Sequence, residues 1–295
     1  MRNLILSNQL IIDTDIGTDV DDAIVLAQIL GSWPEDKLSI TTVYGDVRKR
    51  AQIASNYCRL MNKSVDIYPG ETLTISGKNV WTSGLEGTLH DNLEMQIYKK
   101  KSGVEHIADS VSKGMYPVEV IAIAPLTNLA KAIDKVLGNL NNLKHIYLMG
   151  GRFSPGKIEH NIVCDIEAAQ KVFNSNLKID VVGIEITTEL HLSLLDLKFL
   201  SKLGKAGELL HEEINQWAQF LKHDWIVPHD SIAFLMKNNP ELFEFSKLGD
   251  IRVLEDGQTE FHENQFGTKR IVKKIDVEGA RTSIISSLEG VKFGS

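Results

Sequence analysis

This sequence predicts an α/β fold with an open, mostly parallel, Rossmann-like sheet, helices on both faces and a small antiparallel C-terminal extension. Three observations carry that expectation. Short β-branched apolar runs alternate with longer helical stretches, the pattern of strand–helix–strand units. Polar or glycine-rich signals (Asp13/Asp15, Gly45-Asp46, Thr127-Asn128, Gly150-Gly151) each follow the end of such a run, and the carboxyl edge of a parallel sheet is where ligands bind. Residues 251–277 instead read as antiparallel strands turning at Asp256-Gly257 and ending in a short helix. No internal repeat, linker or low-complexity stretch interrupts the chain, so residues 1–295 are expected to form one domain.

Taken in order, residues 10–12 form a buried strand and 23–30 a core helix closed by Gly31. Residues 38–44 form a second strand, followed by the turn Gly45-Asp46 and a helix over 48–61 with Cys58 in the core. A short strand at 65–68 ends at Pro69-Gly70, and 71–88 lacks a period, as a long loop near a site would. A helix over 104–113 leads to the strand 118–123, and Thr127-Asn128 opens the next helix. Strands follow at 145–149 and 179–182, then mostly helical text over 190–239, with Trp217 facing the helix core.

Composition narrows the function classes. With 43% apolar and 24% charged residues in 295, the chain can bury a sizeable core. A net charge of −7 argues against nucleic acid or an anionic membrane as partner. The basic runs at 48–50 and 99–101 are expected on solvated faces. Two cysteines make no disulfide framework and fit a reducing compartment. Residues 1–7 are too short an apolar run for a leader, and no stretch of 18 apolar residues exists, so the expected location is cytoplasmic.

The chemistry concentrates in residues 11–23, where five aspartates (Asp13, Asp15, Asp19, Asp21, Asp22) fall within ten residues between a strand and a helix. So many like charges repel one another, and a helix N-terminus offsets only about 0.3–1 kcal/mol per charge. A bound divalent cation is the stronger answer, and all-oxygen ligands suit Ca²⁺ or Mg²⁺. An EF-hand is excluded by spacing, since Thr18 and Ile24 stand where glycine and glutamate are needed. A haloacid dehalogenase-like Mg²⁺ phosphatase with Asp13 as nucleophile is the runner-up, although Gly17 stands where that class usually carries Thr or Val.

The stretch from Asp13-Thr14-Asp15-Ile16-Gly17 to Asp21-Asp22-Ala23 resembles the opening signature of the inosine–uridine nucleoside hydrolase family. Four further landmarks stand in the family's order. They are Ala124-Pro125-Leu126-Thr127-Asn128, Met149-Gly150-Gly151, Glu159-His160-Asn161-Ile162 with Asp165-Ile166-Glu167 behind it, and His229-Asp230. The resemblance implies a parallel α/β fold, a tightly held Ca²⁺, a ribonucleoside substrate cleaved to ribose and free base, and a homodimer or homotetramer. It implies Asp15, Asp22 and Asp230 as carboxylate metal ligands, with Thr127 contributing its main-chain carbonyl. Asp15 would also be the base that deprotonates the attacking water. Asp21 and Asn161 would accept from ribose hydroxyls, Glu159 would reach toward the 5′-hydroxyl, and Met149 would pack on the sugar. His229 is the candidate acid for the leaving base, as histidine titrates near neutral pH, and His223 could share that role.

Departures from the family add expectations. Asp19 is an extra carboxylate, read as a helix cap or a neighbour of the ligands. Asp46 replaces the family's usual Asn and could accept from the 2′-hydroxyl. His160 stands where an aromatic is common and is expected to face the core. Trp81, with Trp225, is the candidate for stacking on the base. A nucleoside or ribose binder that lost turnover is the third reading.

Overall fold

The computed structural model describes residues 8–291, so the N-terminal run judged too short for a leader lies outside the described residues. The chain runs β1 (Gln9–Thr14), α1 (Asp21–Ser32), β2 (Leu38–Thr42), α2 (Val47–Leu60), β3 (Asp66–Pro69), α3 (Gly103–Lys113), β4 (Val118–Ala122) and α4 (Thr127–Lys135). It continues through β5 (Leu143–Met149), α5 (His160–Cys164), α6 (Ile166–Phe173), β6 (Ile179–Val182), α7 (Ile184–Thr187), β7 (Leu192–Ser193) and α8 (Gly204–Leu221). Then come β8 (Trp225–Ile226), α9 (His229–Asn238), β9 (Phe243–Phe245), β10 (Gly249–Val253), β11 (Thr259–Glu263), β12 (Lys269–Ile275) and α10 (Val277–Glu289).

The strands build a ten-stranded sheet in the order β11-β10-β12-β6-β5-β4-β1-β2-β3, with β9 also on β12. From β3 to β12 along this path every neighbour is parallel, so β1, β2, β4, β5 and β6 end on one edge. Side chains alternate across β1. Leu10 and Ile12 join the core cluster that includes buried residues of α1, α2, α8 and α9, while Ile11 joins the cluster against α3, α4 and α6. The sheet is therefore apolar on both faces, as parallel sheets are.

Some boundaries differ from the sequence reading, each for a tertiary reason. Gly31 does not end α1; a Cβ there would stand 2.4 Å from Val291 Cγ2, so the residue admits the C-terminal segment. The stretch 190–239 is interrupted by β7 and β8, which pair antiparallel. The tail is more than an edge extension: β12 enters the main sheet parallel to β6, β10 and β11 are antiparallel beyond it, and α10 is 13 residues long. Among the described residues, no helix is long and apolar enough to cross a membrane.

Candidate active site

Asp21 and Asp22 open α1, and Asp230 opens α9. The fold brings one carboxylate oxygen of each within 4.8 Å of the others, and all three residues are buried. Burial first, then repulsion from neighbouring aspartates, holds all three carboxyl groups well above the usual carboxylate range. Asp15 is not one of the trio, yet its charge bears on each of them, and burial raises its carboxyl too. Asp19 accepts from the Val20 N–H at 2.5 Å but does not cap α1: Val20 holds the N-cap position, and no side chain caps the helix there. The Thr14 hydroxyl donates to Asp22.

The turn that carries these acids is held from beneath by Arg50, a residue the sequence reading had placed on a solvated face. Arg48 and Lys49 are exposed, but Arg50 is buried. Its guanidinium donates to the carbonyls of Asp15, Ile16 and Tyr44 and to the Thr18 hydroxyl. It also lowers Asp15 and Asp22 against the effect of burial. A signal was present: Arg50 shares the stripe of Val47, Ala51, Ala54 and Cys58, the apolar face of α2. Gly17 adopts φ +110°, a conformation that excludes the Thr or Val of the phosphatase pattern.

Strand parity separates Asp13 from the cluster. Its side chain points to the α4 face, where it accepts from the Thr41 hydroxyl at 2.6 Å and from Asn128 Nδ2 at 2.8 Å. Both bonds hold the Asp13 carboxylate away from the acid cluster, where the phosphatase reading needs a free nucleophile. Burial pushes its carboxyl up to about 7.

Thr127 stands at the start of α4, and its hydroxyl donates to Asp165 at 2.6 Å. Asp165, to which the sequence gave no role, also accepts from the Ile75 and Ser76 main chain and so ties the long loop to the sheet edge. Met149 ends β5 and is buried. Glu159 is likewise buried, and its carboxylate accepts from the main-chain N–H groups of Gly151, Asn161 and Ile162. Asn161 turns its Nδ2 to the Ile123 and Met149 carbonyls, which leaves its Oδ1 as acceptor. Asp46 is exposed and caps α2 by accepting from the Lys49 N–H.

The aromatic residues sort differently from expectation. Trp81 is 47% exposed, and its main-chain N–H donates to the Tyr44 hydroxyl at 2.8 Å. Trp225 is not open for stacking: His191 and His223 lie on it in parallel, at 3.9 and 4.3 Å between ring centroids. His160 is exposed rather than core-facing, because α5 turns Glu159 and Asn161 inward on either side of it. His229 does not titrate near neutral pH. Burial, and then the nearby His191, pushes it down to about 4, and its Nδ1 lies 2.6 Å from the Thr187 hydroxyl.

The donor set fits a hard divalent cation. Three buried carboxylates converge, all donors are oxygen, and Arg50, whose charge bears on Asp22, spends its hydrogen bonds on main-chain carbonyls and a hydroxyl. A cavity of about 1000 Å³ between α2, residues 89–99 and α8 is not lined by these acids.

Comparison with known proteins agrees with this geometry. The chain is 34% identical over 269 residues to uridine nucleosidase 1 of Arabidopsis thaliana, covering 84% of this chain and 79% of that one. It is 30% identical over 247 residues to the non-specific ribonucleoside hydrolase RihC of Klebsiella pneumoniae, covering 79% and 80%. In structure it resembles a purine-preferring ribonucleoside hydrolase from Gardnerella vaginalis, with a TM-score of 0.83 at 22% identity over 96% of this chain and 98% of that one. The profile of the inosine-uridine preferring nucleoside hydrolase family matches residues 10–282. With five landmarks in order and acids from α1 and α9 meeting at the sheet edge, the chain belongs to the inosine-uridine preferring nucleoside hydrolase family and is an N-glycosyl hydrolase of ribonucleosides.

Proposed function

We propose that this enzyme depends on calcium, with Asp15, Asp22, Asp230 and the Thr127 carbonyl as its ligands. The observation that carries this reading is the convergence of two of these ligands, Asp22 and Asp230, with Asp21, across more than 200 positions in sequence; Asp15 lies outside that trio and joins the reading through its charge on all three. Bound there, the cation would lower the pKa of the attacking water and fix the ribose diol.

The chain's own groups account for the rest. Asp15 takes the proton from water as its oxygen attacks C1′. Asp21 and Asn161 accept from ribose hydroxyls, and Asp46 accepts from the 2′-hydroxyl with the oxygen its cap leaves over. Glu159 lies toward the 5′-hydroxyl, and Met149 packs under the sugar. Carboxylates around the ring stabilise the positive charge that develops as the glycosidic bond breaks. His229, neutral at pH 7, offers the leaving base a hydrogen bond rather than a ready proton. The protein acts as a homodimer or homotetramer in the cytoplasm, and sedimentation reads the first of these.

Two outcomes test the assignment. Asp15→Asn is expected to keep ribose binding and lose about 10²–10⁴-fold in kcat, measured by base release; full activity in that variant refutes Asp15 as the base. Trp81→Ala is expected to raise KM by about 5- to 150-fold, the equivalent of about 1–3 kcal/mol of base stacking. Unchanged KM values across a panel of purine and pyrimidine nucleosides would remove Trp81 from the base pocket.

A further inference from the structure

We propose that His160, rather than His229, is the imidazole that supplies the proton to the departing base. This rests on the nucleoside-hydrolase reading of the site.

His160 is the first residue of α5, and its neighbours Glu159 and Asn161 turn into the sheet edge while its own ring faces solvent. The ring does not hang free. It stands edge-on to Tyr44 (6.3 Å, 84°) and to Trp81 (5.8 Å, 78°), so three rings form a corner. The corner is built from within: the Tyr44 hydroxyl accepts from the Trp81 main-chain N–H and from the Cys164 thiol. Tyr44 holds φ +69°, a strained conformation for an aromatic residue, with its main chain fixed by Arg50 and Glu71.

The corner is tied to the turn of the proposed catalytic carboxylate, because the Arg50 guanidinium donates to the Tyr44 and Asp15 carbonyls alike. His160 itself directly follows Glu159, the buried N-cap of α5, and the charge of Asp15 bears on Tyr44 and Cys164. Among the described residues, the ring nitrogens of His160 meet only the Cys164 sulfur, at 3.4 and 3.9 Å. Sulfur is a weak partner, so both nitrogens can turn to a ligand. His229 is differently placed, half-buried with its Nδ1 at the Thr187 hydroxyl.

In the step this implies, the bond between C1′ and the base nitrogen breaks and its electron pair stays on the base. The water oxygen bonds to C1′, and the water's proton passes to Asp15. The base takes a proton from a ring nitrogen of His160, which regains one from solvent because it is exposed.

The test uses the full chain with calcium and two substrate types. Nucleosides need help at the leaving base; p-nitrophenyl β-D-ribofuranoside does not, because p-nitrophenolate departs unaided. His160→Phe and His160→Gln are expected to lose about 10²-fold in kcat/KM on inosine and uridine. On the p-nitrophenyl riboside, both variants should stay within about threefold of the parent enzyme. Equal losses on both substrate types, or no loss on nucleosides, overturn the assignment to His160 while leaving the family activity intact. A parent enzyme inactive on every nucleoside overturns the underlying reading as well. An unshifted melting temperature in His160→Gln separates chemistry from folding.

Discussion

Asp230→Asn is expected to lose most of the rise in melting temperature that calcium gives the parent protein, together with its turnover. In the parent, three buried carboxylates stand within 4.8 Å of one another. A ligand at about 1,000 times its Kd stabilises the native state by about 4 kcal/mol, which corresponds to a shift on the order of 10 °C. Removing the charge from α9 leaves the cation held from the β1–α1 side alone. It also relieves repulsion, so without calcium the variant should melt no lower than the parent. A calcium response as large in the variant as in the parent would show that Asp230 is not a ligand of the ion.

The same cluster sets a pH dependence whose sign is fixed by the direction of its shifts. Burial raises Asp13 and Asp19 to about 7, and raises Asp15, Asp21, Asp22 and Asp230 as well. In the unfolded chain these groups titrate near 3.9. The native state therefore holds protons that the unfolded state has released, and the stability this gives is lost as pH rises through about 7. His106 and His229, pushed down to about 4 by burial, act in the opposite sense. Their effect is spent by about pH 7, once imidazole is neutral in both states. Calcium-free protein should accordingly melt lower at pH 8.5 than at pH 6.5, and calcium should narrow the gap. A calcium-free melting temperature that rises over this interval would contradict the arrangement of the acids.

The second large effect is expected at Arg50. Arg50→Leu leaves the carbonyls of Asp15, Ile16 and Tyr44 and the Thr18 hydroxyl without their donor. It also removes the positive charge that opposes the raised Asp15 and Asp22. Breaking a buried charged arrangement from one side costs about 3–5 kcal/mol, read as a lower urea midpoint, and calcium affinity by calorimetry should weaken with it. Arg50→Lys should fall between, since an ammonium lacks the planar fork that reaches several acceptors at once. If Arg50→Leu unfolds within about 1 kcal/mol of the parent, the guanidinium is not what holds the turn.

Much of the fold was legible because parallel strands buried on both faces announce themselves as apolar runs, and helices as apolar stripes. The acid-rich turn was legible because five like charges in ten residues demand a counter-ion. The landmarks at Thr127, Met149, Glu159 and His229-Asp230 were legible in their order along the chain. Orientation was less accessible. Trp225 read as a base platform until its faces proved to be covered by His191 and His223. Both partners are remote from it in any local pattern or carry no mark of stacking.

By itself, the sequence determined a parallel α/β sheet with an acid-rich turn at its carboxyl edge, because composition and periodicity are local properties. Only the tertiary structure decided that Asp13 turns to α4 while Asp21 and Asp22 turn to Asp230, that Arg50 lies beneath the turn, and that His160 faces outward. Those outcomes depend on which elements meet across the sheet, and side-chain direction and burial are set there.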